Sequence, residues 1–155
     1  MSARRVLVIG MGHPDRGDDA VGRVVADRLL RDPSPDVRVV ATDGEAGKLL
    51  DLFTEADHVI IVDAGLSGAK PGTIHRLDAV AASLPRPMFA MSSHAIGLVE
   101  SIELARTLGT LPKRCIVFAI EGERFDLGAG LSPAVGLAVD AVVRKVADEL
   151  KAELV

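Results

Sequence analysis

Short apolar runs alternate along this chain with segments of helical periodicity, and this alternation constrains the fold more than any other feature. The runs that predict strands are Arg4–Ile9, Val37–Ala41, Asp57–Asp63, Thr73–Leu77 and Arg114–Ile120. The segments that predict helices begin at Asp18 or Asp19, around Leu49 to Phe53, at Ser92–His94 and at Ser132–Pro133. This order predicts a three-layer α/β/α sandwich with a five-stranded, mostly parallel sheet.

The strand Thr73–Leu77 differs from the other four. Its polar and apolar residues alternate, which is typical of an exposed strand. It follows the third strand too closely for a parallel crossover, which needs a dozen or more residues. We therefore expect this strand to be antiparallel and the others to be parallel.

Length and charge exclude several classes of protein. The 155 residues predict a single domain over 1–155, and the net charge of −4 gives no electrostatic footprint for nucleic acid. No apolar run approaches the ~20 residues that cross a bilayer, and no signal peptide pattern precedes Val6. The single cysteine, Cys115, excludes an internal disulfide framework. We expect a cytoplasmic protein with neither a membrane nor a nucleic-acid partner.

The stretch from Gly10 to Gly22 predicts a ligand site. It lies between the first strand and the first helix, the position of binding loops in open α/β sheets. It carries Asp15, Asp18 and Asp19, and three carboxylates would repel a phosphate. This charge disfavours a nucleotide- or cofactor-binding module and favours a cation.

Three titratable residues share a position relative to the strands. Asp19 follows the first strand, Asp63 ends the third, and His94 precedes the last. Groups at the carboxyl ends of strands converge on one crevice, and two carboxylates with an imidazole suit Zn, Ni, Mn or Fe. Each residue also has a structural interpretation, namely helix capping for Asp19, loop hydrogen bonding for Asp63 and helix-start chemistry for His94. Their coincidence favours a metal site.

Five further residues are weaker candidates for the same crevice. His13 lies in the stretch from Gly10 to Gly22, which we call the acidic loop. It could be an accessory metal ligand, but we favour a role as a turn residue. Asp18 is adjacent to Asp19 and could instead cap the helix. Asp43 and Glu45 follow the second strand, and Glu121 ends the last.

Four short motifs occur in order over nearly the whole chain. They are Val6–Gly12 with Asp18–Gly22, Val62–Ala64 with Pro71–Thr73, Ser93–Leu98, and Gly128–Pro133. Together they resemble the motifs of the hydrogenase maturation endopeptidases. The resemblance implies a phosphorylase/hydrolase-like fold, with a twisted five-stranded sheet that has one antiparallel strand.

The resemblance also implies an activity. Members of that family recognise nickel in the immature large subunit of a nickel-iron hydrogenase and remove its C-terminal extension. The metal-binding residues of the family correspond here to Asp19, Asp63 and His94. Nickel would arrive with the precursor, and other divalent ions could occupy the same ligands. The water that hydrolyses the peptide could be activated by the metal or by a carboxylate.

The chain departs from the family pattern at three positions. His13 stands where Asn is usual, Asp19 where Glu is frequent, and Glu45 where Thr is common. The first two departures could alter the metal geometry or the metal preference, and they leave open a divergent branch of the family with a different precursor. The alternative hypothesis for the function is a non-proteolytic metal-binding maturation chaperone or an inactive homologue. In either case, we expect the three ligands to meet in one crevice.

Overall fold

The computed structural model describes residues 6–91, 94 and 96–154 of the chain. Its strands are β1 (Val6–Met11), β2 (Val37–Thr42), β3 (His58–Gly65), β4 (Ile74–Asp78) and β5 (Arg114–Glu121). Its α-helices are α1 (Val21–Leu30), α2 (Ala46–Phe53), α3 (Leu98–Leu108) and α4 (Pro133–Leu154). Two 3-10 turns, Gly17–Ala20 and Arg86–Phe89, precede α1 and α3. Each predicted element has a counterpart among these residues, although two helices begin later than expected. Arg4 and Arg5, at the start of the first predicted strand, lie outside the described residues.

The five strands form one sheet in the order β2-β1-β3-β5-β4. β1 pairs in parallel with β2 and β3, and β3 pairs in parallel with β5. β4 pairs with β5 in the antiparallel direction, so the expectation for Thr73–Leu77 is confirmed. The carboxyl ends of β1, β2, β3 and β5 consequently lie at one edge of the sheet, which we call the carboxyl edge.

Both faces of the sheet are covered by helices. Alternate residues of β1 point to opposite faces, because side chains on a strand alternate. Leu7 and Ile9 join a core with α2 and α3, whereas Val6 and Val8 join a core with α1 and α4. The predicted three-layer α/β/α sandwich is therefore confirmed.

An apolar stripe on α4 faces the core that α4 shares with α1. Val135, Val139, Val142 and Val146 are buried, and Val143 and Leu150 pack against them. Pro133 opens the helix as predicted, since its missing N–H is not needed in the first turn. Among the helices of the described ranges, none has the combination of length and hydropathy that a bilayer crossing requires.

α1 lies unusually close to the sheet, and glycine makes this approach possible. A Cβ atom at Gly22 would lie 2.3 Å from the carbonyl oxygens of both Met11 and Val62. The first turn of α1 therefore rests directly on β1 and β3. This contact places the acidic loop that precedes α1 over the carboxyl edge.

The predicted start of α3 at Ser92–His94 is wrong. Residues 92 and 93 lie outside the described residues, and His94 lies four positions before the first helical residue, Leu98. The helix begins there because the Glu100 carboxylate accepts a 2.9 Å hydrogen bond from the Gly97 N–H. A carboxylate at this position satisfies an N–H group that the helix leaves unpaired.

Candidate functional site

A crevice opens at the carboxyl edge, between the ends of β1, β2 and β3. Three carboxylates line it, those of Asp19, Asp43 and Asp63, and we call this set the acidic wall. Five apolar side chains also line it, and we call them the apolar wall: Met11, Met88, Phe89, Met91 and Phe125. The crevice therefore combines negative charge with apolar surface.

Asp19 is held by the turn that precedes α1. Its Oδ2 atom accepts a hydrogen bond from the backbone N–H of His13 at 2.9 Å. Gly12 has a φ of +141°, and a Cβ atom there would lie 1.7 Å from the carbonyl oxygen of Asp19, so only glycine fits. The ring of His13 accepts from the N–H of Asp15 at 3.1 Å, which agrees with its interpretation as a turn residue.

Asp63 lies at the end of β3 and is nearly inaccessible to solvent. The pKa of its carboxyl group is raised from 3.8 to about 8, first by burial and then by the negative charge of Asp19, while a hydrogen bond from the Ala64 N–H acts in the opposite direction. Two carboxylates in a poorly hydrated crevice resist ionising together. A cation between them would remove this repulsion.

His94 lines an adjoining groove with Phe89 and Leu98. Its Nε2 atom lies 3.7 Å from Oδ2 of Asp43, which belongs to the acidic wall of the crevice. The structure thus places Asp19 and Asp63 in one crevice and His94 in the adjoining groove, where it contacts Asp43. Over residues 6–91, 94 and 96–154, no three His, Cys, Asp or Glu side chains are grouped as metal ligands.

One interpretation of the sequence was that Asp18 caps α1, but the structure shows that it does not. It is fully buried, and its two oxygens accept from the N–H groups of Glu123, Arg124 and Ser132 and from the Ser132 hydroxyl, at 2.7 to 3.1 Å. α1 itself begins without a side-chain cap. Asp18 instead fastens the acidic loop to the segment between β5 and α4, which includes Phe125.

Glu121 also has a structural role and does not line the crevice. It is fully buried and accepts hydrogen bonds from Ser67 N–H and Oγ, Gly68 N–H and His75 Nε2, at 2.6 to 3.2 Å. Burial alone would raise the pKa of this carboxyl group, but the hydrogen bonds from Ser67 and its neighbours outweigh it and lower the pKa. Glu121 therefore anchors the loop between β3 and β4 as an ionised group.

Glu45 caps α2 and is likewise not in the crevice. Its carboxylate accepts from Gly47 N–H at 2.7 Å and Lys48 N–H at 3.1 Å. The departure from Thr at this position keeps a capping oxygen at the helix start. Of the five accessory candidates, only Asp43 lines the crevice.

The apolar wall was missed by reasoning from the sequence. Met88, Phe89 and Met91 come directly after Pro85 and Pro87, which favour irregular chain and leave no periodic pattern. Their common position shows only when the 3-10 turn Arg86–Phe89 carries them over the end of β3. The sequence did contain one signal for this surface. The chain has four Met and four Phe residues, and three of these eight, Met88, Phe89 and Met91, lie within four positions of one another.

Known proteins of similar sequence indicate the family of the chain. A family model described as hydrogenase maturation protease matches residues 24–149. The hydrogenase expression/formation protein HupD of Rhodobacter capsulatus is 31% identical over 153 residues, which cover 96% of this chain and 72% of HupD.

Two solved structures share the fold over nearly their full length. The hydrogenase maturating endopeptidase HybD of Escherichia coli superposes with a TM-score of 0.80 at 26% identity, covering 95% of this chain and 92% of HybD. The [NiFe] hydrogenase maturation protease HycI of Thermococcus kodakarensis gives a TM-score of 0.71 at 25% identity, covering 97% and 94%. The chain therefore belongs to the hydrogenase maturation protease family and is a peptidase.

Proposed function

We propose that this peptidase removes the C-terminal extension of a nickel-loaded precursor of a nickel-iron hydrogenase large subunit. Nickel arrives as part of the substrate, and Asp19, Asp63 and His94 recognise it. The fold and the family support proteolysis of a hydrogenase subunit. The crevice geometry supports the role of nickel.

The observation that carries this proposal is the carboxylate pair. Asp19 and Asp63 line one crevice, and their mutual repulsion contributes to the raised pKa of Asp63. A neutral stretch of peptide would not relieve this repulsion, whereas a nickel ion held between the two carboxylates would. The pair therefore discriminates in favour of a substrate that carries its metal.

His94 supplies the third ligand in this proposal. Imidazole is a good ligand for nickel, and the position next to Asp43 keeps His94 at the border of the crevice. Recruiting it requires the His94 ring to exchange its contact with Asp43 for the metal. Carboxylates and one imidazole leave coordination positions for the ligands of the precursor itself.

The hydrolytic step is expected to use water. Burial raises the pKa of the Cys115 thiol to about 12, so the only cysteine is protonated and cannot act as a nucleophile. Cys115 also lies in β5 within the core rather than in the crevice. A water activated by the substrate nickel or by a carboxylate is consistent with the acidic wall.

The test is to incubate the protein with nickel-loaded and nickel-free precursor and to measure both masses. We expect mass loss from the nickel-loaded precursor alone, and no loss with Asp19→Asn or Asp63→Asn. Asp15→Asn is the matched control, because Asp15 is an exposed carboxylate of the same loop. Binding of the loaded precursor without any mass loss would favour the chaperone interpretation and overturn the assignment of proteolysis.

A further inference from the structure

The two edge strands of the sheet differ in their protection by charge. β4, at one edge, carries a histidine, an arginine and an aspartate, and Arg76 pairs with Glu149 of α4. Charged side chains on an edge strand discourage pairing with another chain. β2, at the other edge, reads Val-Arg-Val-Val-Ala-Thr, and its one charged residue, Arg38, is already paired with Glu55. The edge at β2 therefore has little protection against an added strand.

The outward-facing backbone groups of β2 follow from its pairing with β1. The carbonyl oxygen of Thr42 accepts from the Gly12 N–H at 3.0 Å, so the backbone of Thr42 faces β1. Successive residues of a strand direct their N–H and C=O groups to opposite sides, so Val39 and Ala41 direct theirs away from β1. Over residues 6–91, 94 and 96–154, β2 pairs with β1 alone. We call the outward N–H and C=O groups of Val39 and Ala41 the open edge.

An apolar groove lies beside the open edge. Val37 and Val39 line it together with Leu29, Pro33 and Leu150, and two polar residues between α1 and β2 complete the lining. The side chains of a strand alternate, so a strand added to β2 would direct every second side chain towards this groove. The groove would then add apolar contacts to the main-chain hydrogen bonds.

β2 leads directly into the crevice. Its last residue, Thr42, is followed by Asp43, which belongs to the acidic wall. Gly12, which binds the Thr42 carbonyl, lines the crevice as well. At about 3.3 Å for each residue, the six residues of β2 span roughly 20 Å from the crevice to the opposite end of the strand. An extended peptide that leaves the crevice along this edge would contact β2 over its whole length.

We propose that the open edge binds the C-terminal extension of the substrate as an added strand. This inference rests on the proposed function, in which the scissile bond lies in the crevice and the extension follows it. An extension that runs from the crevice towards the amino end of β2 is antiparallel to β2, which is the more stable direction of pairing. Its N–H and C=O groups bond to those of Val39 and Ala41. The ligand is therefore a short extended peptide that is recognised mainly through its main chain.

Main-chain recognition determines which extensions the open edge accepts. Residues that face the groove gain free energy of binding when they are apolar, because they leave water there. The residues between them face the other way and are free to vary. Proline at a position that bonds to β2 would remove a donor. The open edge therefore selects for an extended conformation and an alternating pattern rather than for one sequence.

A first test measures hydrogen exchange of the backbone amides by NMR in the unaltered protein. The probes are a synthetic peptide that spans the C-terminal extension of the precursor and two N-methylated forms, modified at alternate residues in the two possible phases. The unmodified peptide should slow exchange at Val39 and Ala41, and at least one methylated peptide should fail to do so. Protection by all three peptides, or by none, would overturn the added strand.

The same measurement distinguishes the extension from a second copy of this chain. A second copy could pair with the open edge through its own β2. Protection of Val39 and Ala41 that increases with protein concentration, in the absence of peptide, would show this pairing and overturn the assignment to the extension. We expect exchange at both residues to be independent of protein concentration.

A second test removes one donor from the open edge. Ala41→Pro lacks the outward N–H, whereas the bonds to β1 are made by Val40 and Thr42 and are kept. KM for the nickel-loaded precursor should rise roughly tenfold while kcat stays within about twofold. A precursor whose extension is shortened to two residues should not distinguish Ala41→Pro from the unaltered protein.

Ile74→Pro is the matched control at the other edge. The Thr73 carbonyl accepts from the Glu121 N–H, so the backbone of Thr73 faces β5 and that of Ile74 faces outward. Proline is tolerated at the first residue of a strand, which is the position of Ile74. KM for the precursor should be unchanged in this variant. An equal rise of KM in both proline variants would contradict a specific role of β2.

The outcomes of the two tests separate the two proposals. An unchanged KM in Ala41→Pro, with normal cleavage by the unaltered protein, contradicts the added strand alone. A precursor that is never cleaved, while the extension peptide still protects Val39 and Ala41, contradicts the proposed function alone. The exchange test uses the unaltered protein, so it remains decisive if Ala41→Pro fails to fold.

Discussion

Asp18 and Ser132 are 114 residues apart in the sequence, yet both carboxylate oxygens of Asp18 bond to Ser132. Oδ1 accepts from the Ser132 N–H at 2.7 Å, and Oδ2 accepts from the Ser132 hydroxyl at 2.8 Å. This contact joins the start of α4 to the acidic loop. The position of Asp19, one residue further along, depends on it.

Replacing Asp18 with Asn should therefore destabilise the protein and loosen the crevice. The amide nitrogen of Asn cannot accept hydrogen bonds, so some of the N–H groups that face Asp18 would be left unpaired in a buried site. We expect the free energy of unfolding to fall by about 2–4 kcal/mol in urea titrations. Asp15→Asn, on the surface of the same loop, should change it by less than about 0.5 kcal/mol.

The raised pKa of Asp63 predicts a pH-dependent stability. The pKa of this carboxyl group is about 8 in the folded protein against 3.8 as its ordinary value, so the folded state binds more protons between these values. The free energy of unfolding should then fall as pH rises through this window. Asp63→Asn has no proton to lose, so its stability relative to the unaltered protein should increase by a few kcal/mol between about pH 5 and about pH 9.

Urea titrations of both proteins at several pH values measure this difference. Asp19→Asn serves as the second variant, because removing the charge of Asp19 should lower the pKa of Asp63 and flatten the pH dependence of stability. A constant difference between the unaltered protein and Asp63→Asn at all pH values would contradict the raised pKa.

Nickel binding by the free protein should release a proton. Asp63 carries its proton at neutral pH, and a metal ligand must be deprotonated. Calorimetric titration with nickel chloride in buffers of different ionisation enthalpy should show this release, and affinity should rise with pH up to about 8. Asp63→Asn should bind nickel more weakly and release no proton from this position.

His94→Ala should fold normally and lose processing of the nickel-loaded precursor. His94 lies outside the helix, and 28% of its side chain is exposed, so its removal should shift Tm by less than about 3 °C. His58→Ala is the contrasting variant, because His58 pairs with the nearly buried carboxylate of Glu153 at the opposite edge. The variant His58→Ala should have a lower Tm and should retain cleavage of the precursor. If His94→Ala also lowered Tm and retained cleavage, His94 would be a structural residue and not a ligand.

A charge on the buried stripe of α4 should unfold the protein. Val142 is fully buried between α4 and the sheet, so Val142→Asp places an unpaired carboxylate in the core. We expect a loss of more than about 4 kcal/mol, visible as a missing cooperative transition in circular dichroism. Leu137→Asp on the same helix should be tolerated, because Leu137 is 84% exposed.

The fold could be predicted from the sequence because its determinants are local or periodic. The short separation of Thr73–Leu77 from β3 required an antiparallel strand, and Pro133 marked the start of α4. Local signals can also mislead. The predicted start of α3 was wrong because Ser92 and His94 resemble the residues that begin helices. The effective signal was Glu100, three residues after Gly97, where its carboxylate binds the Gly97 N–H.

The candidate site was predictable only where topology decides it. Asp19 and Asp63 share a crevice because Asp19 follows β1 and Asp63 lies near the carboxyl end of β3, and these two strands are parallel neighbours. The roles of Asp18 and Glu121 were not predictable, since their partners, Ser132 and Ser67, are 114 and 54 residues distant. No local pattern distinguishes a carboxylate that faces solvent from one that binds a remote loop.

The bond between Asp18 and Ser132 also sets the order in which the protein can mature during synthesis. A nascent chain that has not yet passed Ser132 contains the acidic loop, Asp63 and all five strands, but lacks the groups that receive the Asp18 carboxylate. Until the segment before α4 has emerged, the loop has only its bonds to the earlier part of the chain, such as that from Gly12 N–H to the carbonyl oxygen of Thr42. The crevice therefore takes its final form late in translation.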